Sequence, residues 1–288
     1  MSDKKYIFFD IDGTILTREG KVLDSTKSAL KRAQNNGHEI FINTGRCRNI
    51  IPDVLEELNF DGMVCGTGAH AEYHGKEIFK HSFSRDQINR VLQITDEHKI
   101  PIIMSSDTEC VAPHKDLPVY VELFSGGKIK AANFKGLEDI ENSPLLKSMR
   151  PIVIDDDKSG YYDNHPGVSD VIFMNSPFTV DEFNEMVGDD INVGKASFKD
   201  PDEYSGEITL GNYTKAAGIK SLLENIGADY NDAIAVGDGF NDIDMIREAP
   251  LSIAMGNSPQ EIKDLADYVT DDIYEDGIYN ALRHFELI

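Results

Sequence analysis

Two aspartates stand two positions apart in the stretch YIFFDIDGTIL, Tyr6 to Leu16, at the end of an apolar run. In extended chain, residues two apart project to the same side. Asp10 and Asp12 would then be held close, where two anions repel and resist losing their water. Such a pair calls for a cation or for a job. Far along the chain GDGFND, Gly237 to Asp242, supplies Asp238, Asn241 and Asp242, again directly after an apolar run. Between them lie Thr44-Gly45-Arg46, after EIFIN, and an isolated Lys215 near a helix start. If the strands before these segments are parallel, their ends face one edge and the segments converge. Asp10, Asp12, Asp238 and Asp242 gathered there would repel prohibitively without a divalent ion. Oxygen-only ligands, few in number, suit Mg²⁺, which keeps several waters and takes phosphate oxygens. A hydroxyl, loop N–H groups and one ammonium suit the outer oxygens of a phosphate.

Placing these residues requires alternating elements, and the sequence supplies them. YIFFD, EIFINTGR and GMVCGTGA read as strands, and AEYHGKEIF as a hairpin about His74-Gly75. STKSALKRAQNN, after a short hairpin in TREGKVL, carries helix formers and stops at Gly37. NIIPDVLEEL has helical period with Pro52 in its first turn. From about Ser84 the texture changes to strands packed against helices: RDQINRVLQI with an apolar stripe, then PIIMSS, ECVAP, VSDVIFMNS, TVDEFNEMV and INVGKASF. After this α+β insert, GEITLGN, TKAAGIKSLLENIG, AIAVGDG, NDIDMIREA, PLSIAMGN and SPQEIKDLA resume strand–helix alternation. The expected fold is α/β, a parallel sheet covered by helices, with 1–83 and 191–288 as the core and 84–190 as the insert.

Composition narrows the partners. The 288 residues carry 28 basic and 51 acidic side chains, a net charge of −23, which repels nucleic acid and anionic lipid. It repels a phosphorylated substrate too, so a phosphate site must be built from local cations. No apolar run approaches the ~20 residues of a membrane helix, and the N-terminus is too short and acidic for a signal peptide. A cytoplasmic protein is expected; its oligomeric state is not legible. Cys47, Cys65 and Cys110 form no CxxC pair, so neither a disulfide framework nor a zinc site is expected. The eight histidines show no metal spacing and read as surface or insert residues. IDDDKSGYYD imitates a calcium loop but has Pro166 at position twelve and follows a strand, so it reads as an acidic surface loop. FSGGK, Phe124 to Lys128, reads as a connecting turn.

DIDGT, TGR, the isolated Lys and GDGFNDIDM resemble the four motifs of haloacid-dehalogenase-type phosphatases. Their order and the large insert resemble the Cof-type (class IIB) sugar-phosphatase branch, over essentially the whole chain. Ala216 after the lysine, where the family often has Gly, and Asn43, where a small residue is common, depart from the pattern but leave the functional side chains in place. The resemblance implies a Rossmann-like core with a C2-type α+β cap, acting on a small phosphorylated metabolite. Asp10 would be the nucleophile that forms an aspartyl-phosphate, and Asp12 the acid and base that handles the proton. Mg²⁺ would be held by Asp10, the Asp12 backbone carbonyl and Asp238, with Asp242 supporting the metal or its water shell. Thr44, Gly45, Lys215 and Asn241 would grip the phosphate. Arg46 would either touch substrate or pair with an acid to hold its loop. A phosphomutase on the same core and an aspartyl-phosphate signalling module are the competing functions.

Overall fold

A computed structural model of the chain describes residues 4–124, 135–141, 152–157, 160–195 and 203–288, and these fall into two compact units. The first holds an eight-stranded sheet. Its strands are β1 (Tyr6–Phe9), β2 (Glu39–Asn43), β3 (Gly62–Cys65), β4 (His70–Tyr73) and β5 (Lys76–Lys80), with β12 (Ala233–Gly237), β13 (Leu251–Ala254) and β14 (Tyr268–Val269). They lie in the order β14-β13-β12-β1-β2-β3-β4-β5, and β14 through β3 run parallel.

Both faces of the centre of this sheet are covered, which is why β1, β2 and β12 are buried apolar runs rather than alternating. Ile7 and Phe9 of β1 join Ile40, Ile42, Ile234 and Val236 under the helices Asp24–Asn35 and Gly277–His284. Phe8 points the other way, to Phe41, Val64 and Ala235 beneath the helices Lys215–Ile226 and Ile243–Glu248. Phe8 and Phe41 stack with centroids 4.6 Å apart. β4 and β5 form the expected hairpin, with His74 (φ 46°) and Gly75 (φ 72°) both left-handed as a two-residue turn of that kind demands.

The second unit, His81–Asn212 with Cys47–Ile50, holds a six-stranded sheet in the order β10-β11-β9-β6-β7-β8. Its strands are β6 (Ile102–Ser105), β7 (Cys110–Ala112), β8 (Ile152–Ile154), β9 (Asp170–Phe173), β10 (Ile191–Lys195) and β11 (Gly206–Leu210). All pairs are antiparallel except β7 with β8. The unit therefore ends at Asn212, not at 190: β10 and β11 form a hairpin hydrogen-bonded onto β9, so both belong to the insert's sheet. Ser84 and Thr179 open the helices Arg85–Glu97 and Val180–Val187 with capping boxes to Gln87 and Glu182. The apolar stripe of the first of these, Ile88, Val91 and Leu92, is buried, as expected of core.

Two smaller expectations need correction. His38 and His70 are buried, not superficial, and the His38 ring accepts the Lys5 N–H at the start of β1, 3.1 Å away. NIIPDVLEEL is not one helix but two short 3₁₀ segments, Arg48–Ile50 and Asp53–Leu58, because Pro52 is extended between them. In the acidic loop Asp155 accepts the Asp157 N–H and pairs with His165, while Lys158 and Ser159 lie outside the described residues. Ser125–Lys128 of FSGGK also lie outside them. The three cysteines are buried. Among the described residues, no helix is long and apolar enough to cross a membrane.

Candidate active site

β1, β2 and β12 are adjacent and parallel, so the segments that follow them leave the sheet at one edge. Asp10 is the first residue beyond β1, tied back by its N–H to the Val236 carbonyl (2.9 Å). It is buried, and the Lys215 Nζ donates to its Oδ1 at 2.6 Å. The same ammonium donates to Asp242 Oδ1 at 2.5 Å, and no part of the Lys215 side chain reaches solvent. Asp10, Asp238 and Asp242 bring carboxylate oxygens within 4.8 Å of one another.

Lys215 arrives by a route the sequence did not show. Its preceding strand, β11, belongs to the other sheet, so Lys215 follows no strand of the core. It stands at the first position of its helix, where Thr214 Oγ1 accepts the Ala217 N–H (3.1 Å) and Asp244 accepts the Ala216 N–H (2.8 Å). The helix lies tight on the sheet: a Cβ on Gly218 would stand 2.5 Å from Val64 and 2.8 Å from Gly68. Asn43, the unusual residue before Thr44, is buried beneath it and donates to the Lys215 carbonyl (3.3 Å).

The electrostatics follow from this crowding. Burial pushes the Asp10 carboxyl up to about 7; Lys215 pulls it down, while Asp242 and Asp12 push it further up. Burial likewise raises Asp238 to about 8, reinforced by Asp10 and Asp242. Burial works to discharge Lys215, but Asp10 and Asp242 overcome it and hold the ammonium above its ordinary range. One cation thus faces three carboxyls in a dry place, an arrangement short of positive charge.

Asp238 and Asp242 have different duties. Asp242 Oδ2 accepts the N–H groups of Asp238 and Gly239, both at 2.9 Å, and with Lys215 on its other oxygen it braces the loop. Asp238 Oδ1 accepts only the Thr14 hydroxyl (2.9 Å) among the described hydrogen bonds. Gly13, at φ +88°, makes room for it: a Cβ there would stand 2.2 Å from Asp238 Oδ2. Asn257 also reaches Gly13 and Asp238, and neither it nor Thr14 nor Asp244 was singled out from sequence.

Asp12 does not join the three-carboxyl cluster. Its side chain is 56% exposed and makes a two-pronged ion pair with Arg46, Nε to Oδ2 at 2.7 Å and Nη2 to Oδ1 at 2.9 Å. Of the two roles expected for Arg46, pairing with an acid is the one present, and the acid is the proton-handling candidate itself. Thr44 is buried, and its hydroxyl accepts the Arg46 N–H at 3.2 Å. Gly45 is half-buried in the turn between them, and Asn241 is half-buried in the 3₁₀ turn Phe240–Asp242.

The donor set fits a hard divalent cation: oxygen ligands only, excess negative charge, and a carboxylate, Asp238, held on one oxygen by a hydroxyl. A family model described as haloacid dehalogenase-like hydrolase matches residues 7–282. YkrA of Bacillus subtilis (strain 168), named as a phosphatase, is 29% identical over 291 residues, covering 99% of this chain and 99% of YkrA. The 5-amino-6-(5-phospho-D-ribitylamino)uracil phosphatase YcsE of the same organism is 25% identical over 293 residues, covering 99% and 97%. Among solved structures, the HAD subclass IIB sugar phosphatase BT4131 superposes with a TM-score of 0.76 at 27% identity, covering 99% of this chain and 100% of that one.

Proposed function

The chain belongs to the haloacid dehalogenase-like hydrolases, and from that premise we propose that it hydrolyses small, polyhydroxylated phosphomonoesters in a Mg²⁺-dependent reaction through an aspartyl-phosphate. One observation carries this reading: the buried Asp10 at the end of β1, gripped on one oxygen by Lys215 and crowded by Asp238 and Asp242. The choice of polyhydroxylated esters rests on the sugar phosphatase and the ribitylaminouracil phosphatase among the relatives.

Asp10 attacks phosphorus with the oxygen that Lys215 leaves unoccupied, a P–O bond forms, and the bond to the leaving alcohol breaks. Asp12 gives its proton to that alcohol oxygen, and Arg46 holds the Asp12 carboxylate so formed until water arrives. Water then attacks the aspartyl-phosphate, Asp12 takes the proton, and Asp10 is freed as phosphate departs. Thr44, the backbone at Gly45, Lys215 and Asn241 bind the oxygens that do not transfer. Asp10, the Asp12 carbonyl and Asp238 would hold Mg²⁺, whose charge offsets the repulsion between carboxylate and phosphate dianion when it is bound. Asp242 keeps Lys215 and the Asp238 loop in register.

The test is phosphate release from para-nitrophenyl phosphate and a panel of sugar and polyol phosphates, with Mg²⁺ and with EDTA, beside Asp10→Asn. We expect turnover that needs the metal and falls by ~10³-fold or more in the variant. Turnover that survives Asp10→Asn, or persists in EDTA, sinks this mechanism. Isomerisation of a sugar phosphate without free phosphate would point to a phosphomutase.

A further inference from the structure

Asn257 sits in an exposed loop after β13, where an amide side chain ordinarily does nothing but face water. Here it makes three connections. Its Nδ2 donates to the Gly13 carbonyl at 2.9 Å and to Asp238 Oδ2 at 3.4 Å. Its Oδ1 accepts the Ile273 N–H at 3.0 Å. The partners come from three separate stretches of chain, Gly13 lying 244 residues away.

The support under Asn257 is rigid. Gly256 N–H donates to the Asp271 carbonyl (3.0 Å), and a Cβ on Gly256 would stand 2.4 Å from the Asp272 nitrogen. The loop is therefore pressed directly on the 271–273 backbone, and the amide is aimed from a fixed base. Asp238 is boxed from every described side: Thr14 on Oδ1, the Gly13 backbone beside the carboxyl, Asn257 on Oδ2. Removing the Asn257 donor frees Asp238 to rotate away from Asp10 and Asp242, two carboxyls that repel it.

We propose that Asn257 is a positioning residue that couples the Gly13 turn to Asp238 and thereby sets the affinity of the site for its divalent cation. The proposal rests on the metal reading given above. It makes no claim that Asn257 touches metal or substrate. Donors behind a ligating carboxylate fix its orientation, and their loss typically costs 10- to 100-fold in metal affinity.

The experiment is calorimetric titration of MgCl₂ into the substrate-free full chain, wild type beside Asn257→Ala, with a melting curve of each. We expect the Mg²⁺ dissociation constant to rise by about tenfold or more, and activity to be recovered in large part by raising Mg²⁺. A merely structural staple would lower the melting temperature and leave the dissociation constant where it was; that result overturns the proposal. If Asn257→Ala does not fold, Asn257→Ser decides in the same way, since a serine cannot span from Gly13 to Asp238. A wild-type chain that binds no Mg²⁺ defeats the metal reading and this inference with it, whereas wild-type binding equalled by the variant defeats this inference alone.

Discussion

Asp10 and Asp238 are acids kept protonated by their surroundings well into the neutral range, up to about 7 and about 8. In the unfolded chain each would lose its proton near ~3.9. The folded state therefore holds protons that the unfolded state has released, and stability falls as pH rises through that window. The contribution is complete below ~pH 4 and gone once both folded groups have ionised. The divalent cation proposed above would replace those protons, so its binding would be favoured as they leave. Saturating Mg²⁺ should raise the melting temperature by several degrees more at about pH 8.5 than at about pH 6. Equal shifts at the two pH values would show that the carboxyls are already ionised without metal. At this scale the sequence was readable where chemistry restricts residue type: two aspartates at a strand end, a distant pair after another, a lysine at a helix start. Asn257, Thr14 and Asp244 were not readable, because an amide or hydroxyl in a loop is chemically ordinary until its partner is known. Thr14 and Asp238 are 224 residues apart. Arg46 was half-readable, since either of its roles is open to a guanidinium beside a phosphate loop.

Among the elements, the helix Lys215–Ile226 shows how packing can reverse a propensity. Alanine is favoured over glycine inside a helix by up to ~1 kcal/mol. At Gly218 the added Cβ would press within 2.5 Å of Val64 and 2.8 Å of Gly68, whose own Cβ would meet the Thr214 carbonyl at 2.1 Å. Overpacking costs ~1–3 kcal/mol, so Gly218→Ala should destabilise by about 1–2 kcal/mol in urea unfolding. It should also lower activity, because the displaced helix carries Lys215. A stabilised variant would mean that β3 yields freely and that the close approach is incidental. The elements themselves were largely legible from period and turn residues, and the His74-Gly75 hairpin fell where its glycine required. The partnership of β10 and β11 was not. INVGK and GEITL look like strands in any sheet, and nothing local says that GEITL pairs with β9 rather than with β12.

Over the whole molecule the excess of 51 acidic over 28 basic residues opposes the approach of a dianionic ester. Salt shortens the reach of that field from about 30 Å at 0.01 M to about 8 Å at 0.15 M. At saturating Mg²⁺, kcat/KM for a phosphate ester should therefore rise with NaCl over that range, by roughly two- to fivefold. A steady fall instead would show that attraction by the local cations dominates at distance. Chain order has another effect at this scale. β1 is central in its sheet, between β2, which follows it closely, and β12, which comes from the far end of the sequence. During synthesis Asp10 emerges with β2 and β3 soon behind it, but Lys215, Asp238 and Asn257 are still unmade. At 5–20 residues per second, on the order of 10–50 s pass before they exist. Until then one side of β1 is an open edge with its backbone groups unpaired, a template for mispairing with another nascent chain. A chain terminated before Lys215 and Asp238 thus lacks part of the proposed site and is exposed to aggregation along β1.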